Sequence, residues 1–148
     1  MRSELERAGF GIRALAGIVD SIIIILPIGI MIYLITGVVS INWTQGLAFN
    51  LPYLFYLTLL PVYWNGYVIG KKIMNIRVVK LDGTDLNLSD MFIREMIGKV
   101  LLSYATFGMT MVISGLMVLL RHDKRAIHDF LAGTFVENEF EEPYVQNI

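Results

Sequence analysis

Asp20 is the first residue at which chemistry is to be expected, because it is the last charge before a long apolar stretch: residues 21–70 carry none. A carboxylate at the centre of a membrane helix costs about 2.5–3.5 kcal/mol on insertion scales, so it needs a partner, a cavity or a proton. Arg13 precedes it by seven residues. Seven steps are nearly two turns of a 3.6-residue helix, which puts both side chains on one face about 10 Å apart along the axis. Direct contact requires both side chains to bend together, while Ala16 and Gly17 leave room between them for water or another group. Two readings follow. Either Arg13 anchors the helix end and Asp20 bonds a neighbouring helix, or the pair forms a cation or proton site. Asn65, between Trp64 and Gly66, is a candidate partner for Asp20.

A second cluster spans Arg125 to Thr134 and contains His128-Asp129. Such a pair can be a surface loop, a structural bond to backbone N–H groups, or a general acid/base pair. No nucleophile with a partner base accompanies it, and no catalytic motif is recognisable, so the expectation is a non-enzymatic protein without a cofactor. His122 and His128 have no HExxH companion, which argues against zinc, and Gly70-Lys71-Lys72 lacks the frame of a phosphate loop. The chain has no cysteine, which removes disulfides and thiolate chemistry. Lys71 and Lys72 are read as topology anchors or contacts for anionic headgroups. Arg94 and Lys99 are expected to snorkel to the membrane face, or else to neutralise acidic partners.

The elements that must position these groups are hydrophobic. Of 148 residues, 55% are hydrophobic and 17% charged, against roughly 45–50% and 25% in soluble domains. A net charge of −1, without a basic patch carrying aromatics, offers nothing to nucleic acid. The spacing predicts a first helix over about Gly11 to Val39, with Pro27 inside it. An uncharged turn over Ser40–Gly46 follows, then a second helix over about Leu47 to Ile69 that carries Tyr53, Tyr56, Tyr63 and Tyr67 along one side. Arg2, Arg7 and Arg13 lie before the first helix, and Lys71, Lys72, Arg77 and Lys80 after the second, with no lysine or arginine in the turn between them. The positive-inside rule therefore puts the N-terminus and the segment after Gly70 in the cytoplasm.

Ile76–Leu81 is β-prone, Asp82-Gly83 is a turn signal and Asp85–Leu88 alternates, which predicts a small cytoplasmic β-hairpin. Ser89 resembles a helix cap with Asp90 in the first turn. The region Met91–Leu120 allows two readings. A single helix would align Lys99, Ser103, Thr106, Thr110 and Ser114 as a polar stripe. A reversal near Phe107-Gly108 would give two short helices, and it is favoured by the basic cluster Arg121, Lys124, Arg125 and by Gly133–Val136, a strand-like run able to pair with Ile76–Leu81. The fold class expected is an all-α integral membrane protein of three to four hydrophobic helices, one domain over residues 1–138, with an acidic tail over 139–148.

Arg13-Ala14-Leu15-Ala16-Gly17-Ile18-Val19-Asp20, Gly70–Val79 leading to Asp82-Gly83, Arg94, and Arg125–Thr134 occur in an order that resembles the RDD family of small membrane proteins. By that resemblance Arg13, Asp20 and Asp129 take the places of the naming arginine and aspartates. Val68 stands where the family's Gly-x-Thr-x-Gly-Lys stretch has threonine. The resemblance implies a multi-pass protein of the bacterial inner membrane. It also implies transport, most concretely cation/proton antiport. The mechanism expected on that basis has Asp20 alternate between proton and cation beside Arg13, with Asp129 approaching Arg13 from the cytoplasmic side if the chain reverses. A homo-oligomer is expected, since so small a chain can hardly enclose a path alone. The rival expectation is a non-transporting accessory or scaffold protein that binds a partner membrane protein.

Overall fold

Helix α1 (Phe10–Thr36) has 27 residues, about 40 Å at 1.5 Å per residue, enough to cross a hydrocarbon core. Only 6% of its most apolar window is buried by protein. So little burial sets the helix apart from the core helix of a soluble domain, and its length and composition suit a membrane span. The computed structural model describes residues 7–139; Arg2 and the acidic tail beyond Glu139 lie outside the described residues. Helix α1 ends earlier than expected because Gly37 adopts φ 71° and its N–H closes the last turn on Tyr33. Trp43, in a 3₁₀ turn over Asn42–Gln45, meets Phe49 edge-on at 5.2 Å.

Helix α2 (Leu47–Tyr63) also stops short of the expected Ile69. Asn65 (φ 50°) and Gly66 (φ 92°) turn the chain, and the Gly66 N–H bonds the Pro61 carbonyl at 2.7 Å. The short helix α3 (Ile69–Ile73) then leads to strand β1 (Ile76–Lys80). The expected hairpin does not form. Asp85–Asn87 stay out of any strand, and β1 pairs antiparallel with the distant β2 (Thr134–Asn138), Val78 opposite Val136. Ala8 extends this edge by donating its N–H to the Val136 carbonyl at 2.9 Å. Ala8, Ala16, Ile76, Val78, Met91 and Val136 make the buried core, so the packed part of the molecule sits at the Arg13 end of α1.

Helix α4 (Leu88–Phe92) is capped at Asn87 rather than Ser89; the Asn87 N–H bonds Asp90 Oδ2 at 3.0 Å. It continues through a π-helical stretch (Ile93–Leu101) into α5 (Leu102–Ala105). The polar stripe of one long helix is broken by a turn at Phe107 (φ 52°) and Gly108 (φ 84°), after which α6 (Met109–Leu120) begins. Thr106 Oγ1 accepts the Thr110 N–H at 3.1 Å, satisfying one of the orphan donors at the start of α6. Helix α7 (Ile127–Ala132) follows and lies against the π stretch, where a Cβ on Gly98 would come 2.5 Å from His128 Cβ.

Candidate functional site

Arg13 and Asp129, 116 residues apart, meet. Arg13 Nη1 donates to Asp129 Oδ2 at 2.7 Å, Nη2 to the Lys124 carbonyl at 2.7 Å and Nε to the Ala8 carbonyl at 3.1 Å. Asp129 sits in the first turn of α7, where its Oδ2 also accepts the Ala126 N–H at 2.9 Å, the reach-back that an acidic residue at this position makes. Its Oδ1 receives Arg94 Nη1, which also bonds Thr134 Oγ1 at 2.8 Å. Arg125 closes the set from below, donating to the Asp129 and Thr134 carbonyls with its guanidinium 4.0 Å from the centre of the Phe130 ring. Asp129 is 0% exposed. Burial pushes its carboxyl up, but Arg94 and Arg13, with the Ala126 N–H, outweigh burial and hold it well below the usual carboxylate range. Arg94 is 2% exposed. It does not snorkel; it is a buried cation shared with Arg13 across one carboxylate.

Asp20 is separate from this set. It lies ten residues into α1, about 15 Å along the axis, and is 2% exposed. Its Oδ1 accepts the Tyr56 hydroxyl at 2.6 Å and the Gly70 N–H at 3.0 Å. Tyr56 is itself oriented by accepting the Ile69 N–H at 3.0 Å. Among the described residues no hydrogen bond reaches Oδ2. Asn65, the partner expected for Asp20, is instead exposed in the turn after α2. In the sequence Tyr56 is one of a row of tyrosines with nothing to set it apart; the signal for its role is the lone carboxylate in the adjacent helix, which needs a donor such as a tyrosine hydroxyl.

A cavity of about 320 Å³ separates the two groups, and Arg13, Asp20, Lys71, Arg94, Lys99 and His128 all line it. Lys99 holds Glu95 of the π stretch through both carboxylate oxygens, at 2.7 and 2.9 Å. Glu95 was not singled out from sequence, although its four-residue spacing to Lys99 is an ion-pair pattern. His128 Nε2 lies 3.7 Å from Asp129 Oδ1, beyond hydrogen-bond reach. Burial, Arg94 and Lys99 push the imidazole well below its usual range, so it is neutral near pH 7.

A model of the RDD family matches residues 7–133, which include Arg13, Asp20, Arg94 and Asp129. The chain belongs to the RDD family. It is 40% identical over 129 residues, 87% of this chain and 83% of the relative, to YckC of Bacillus subtilis (strain 168), a protein whose name calls it uncharacterized. No solved structure matches. Family and the long apolar α1 together point to a membrane protein.

In this RDD protein Lys72 is exposed, its ammonium 4.1 Å from the centre of the Tyr67 ring, whereas Lys71 turns to the cavity. Burial, then Arg94 and Lys99, push Lys71 down to about 7, with Glu95 and Asp129 pulling the other way. A base depressed in the fold holds fewer protons there than in the unfolded chain. Folding stability should therefore rise with pH from about 7 toward the ordinary lysine value near 10.4. Melting temperatures of detergent-solubilised protein at pH 7, 8 and 9 should climb, and Lys71→Met should flatten the climb. An identical slope in the variant would show that Lys71 keeps its proton.

Proposed function

We propose that this RDD protein is a multi-pass protein of the bacterial inner membrane, with its N-terminus in the cytoplasm, that moves a proton or small cation through Asp20. The observation that carries this reading is a carboxylate buried on a lipid-facing helix. It is held through one oxygen by Tyr56 and Gly70, while a cavity opens beside it. Of the two species the proton fits better, because Arg13, Lys71, Arg94 and Lys99 on the cavity wall repel a metal cation. Arg13 is not part of the exchange, since its donors are committed to Asp129 and to the Lys124 and Ala8 carbonyls. It acts as a latch between the start of α1 and α7. The helices of one chain are too few to enclose a path, so the transporting unit is a homo-oligomer.

The test is proton flux into proteoliposomes of purified protein under an imposed gradient, followed with an entrapped pH dye. Asp20→Asn should lower flux to that of empty vesicles. Wild-type flux in that variant would sink the mechanism. The Arg13–Asp129–Arg94 set, which engages both oxygens of the carboxylate, supports a second reading, a fixed polar staple in an accessory protein that binds a partner membrane protein. That reading expects no flux from the purified wild type and one partner in stoichiometric amount.

A further inference from the structure

Charges around the cavity do not pair off. Arg13 and Arg94 share Asp129, and Lys99 holds Glu95. Asp20 is turned to Tyr56 and Gly70. That leaves Lys71, which has neither hydrogen bond nor ion pair among the described residues although it lines the cavity. Arg94 shows the same deficit in part. Its buried Nε makes no hydrogen bond, and Glu95 Oε1 is 3.5 Å away. Buried donors such as Arg94 Nε are nearly always satisfied, and the half-buried Lys71 ammonium beside apolar walls is a cation that a counter-charge would stabilise. Apolar residues also line it, among them Phe10, Leu57, Met111 and Val118. A pocket that joins an unmatched cation to apolar walls has the make-up of a ligand site, with few polar groups fixing the orientation of a partly apolar guest.

We propose that this cavity binds an oxyanion, a phosphate-type group held by Lys71 and Arg94, with Leu57 and Met111 flanking whatever apolar part the ligand carries. Charge-assisted bonds from an ammonium and a guanidinium are the strong form of such contacts. The group can arrive as a free soluble anion or as the headgroup of an anionic lipid, since the cavity lies where α1 leaves the packed core. The site goes beyond proton exchange at Asp20 and does not depend on it: its cations stand on α3 and the π stretch, and Asp20→Asn leaves them in place.

The experiment is thermal unfolding of the full chain at constant ionic strength and pH 6.5, followed by tryptophan fluorescence. One arm titrates inorganic phosphate in zwitterionic detergent. The other compares nanodiscs of phosphatidylcholine with and without phosphatidylglycerol. The melting temperature should rise in at least one arm, in wild type and Asp20→Asn alike. A rise with phosphate assigns a soluble ligand, and a rise with phosphatidylglycerol alone assigns a headgroup. Lys71→Gln should weaken the response about tenfold or more, Lys71→Arg should restore it, and Lys72→Gln should leave it unchanged. Lys71→Gln without anion should melt no lower than wild type, because it removes an unmatched charge; this separates a lost site from a lost fold. No rise in either arm, or an undiminished response in Lys71→Gln, would overturn the proposal.

Discussion

Asp129→Asn is expected to lower the stability of this protein by about 3–5 kcal/mol, more than any other single change at the polar end of α1. The substitution keeps the shape and removes the charge that Arg13 and Arg94 share. Neither guanidinium can turn to water, since Arg94 is 2% exposed and Arg13 is pinned by two backbone carbonyls. An asparagine amide presents one acceptor where the carboxylate presented two. It also turns an NH₂ toward a donor or toward the Ala126 N–H that Oδ2 now accepts. The cost is that of burying two positive charges without a counter-charge. Removing one of them should return part of the loss, so Asp129→Asn combined with Arg13→Met should be less damaged than the sum of the single changes. Denaturant titration of the four proteins in one detergent measures this coupling directly. An Asp129→Asn protein that unfolds at the wild-type midpoint would mean that the guanidiniums are satisfied elsewhere.

What could be read from the chain depended on how local the cause was. The apolar α1 and the oddity of Asp20 within it follow from composition alone, because lipid rejects a carboxylate whatever the tertiary structure. The turn at Phe107-Gly108 was legible too, through a basic cluster and a strand-like run on its far side that had to return to β1. The partner of β1 was less so, because a local hairpin competed with that distant run. The Ile76–Lys80 strand carried a clear β pattern, and Asp82-Gly83 turns as expected. Yet Asp85–Asn87 lack the β-branched side chains that would hold a partner strand, so Thr134–Asn138 takes the place. Of the two readings of Arg94, snorkelling and neutralising an acidic partner, the structure shows the second. On an isolated helix a lone arginine snorkels, and only the return of α7 supplies the carboxylate that holds it inside. Asn65 failed on two residues of backbone, because a helix carried on to Ile69 would have kept it near α1, whereas the left-handed turn at Asn65 and Gly66 swings it out.

That turn also explains how Asp20 is held, and gives the second large effect. Gly70→Ala should cost about 1–3 kcal/mol from overpacking and abolish Asp20-dependent flux as well. A Cβ on Gly70 would sit 2.7 Å from Asp20 Cβ and 2.8 Å from Asp20 N, and closer still to the Ala16 carbonyl oxygen. These are backbone and Cβ atoms of α1 that cannot rotate aside, so α3 must move away. The Gly70 N–H then leaves Asp20, and Ile69, whose N–H orients the Tyr56 hydroxyl, moves with it. One methyl group thus dismantles both bonds to the carboxylate. Gly17→Ala, on α1, is the control: nothing lies within 4 Å of its Cβ, so it should fold and conduct like wild type. Melting temperature and flux measured on the pair decide the matter. A Gly70→Ala protein equal to Gly17→Ala in both would mean that α3 does not rest on α1, and the anchoring of Asp20 would have to be sought in Tyr56 alone.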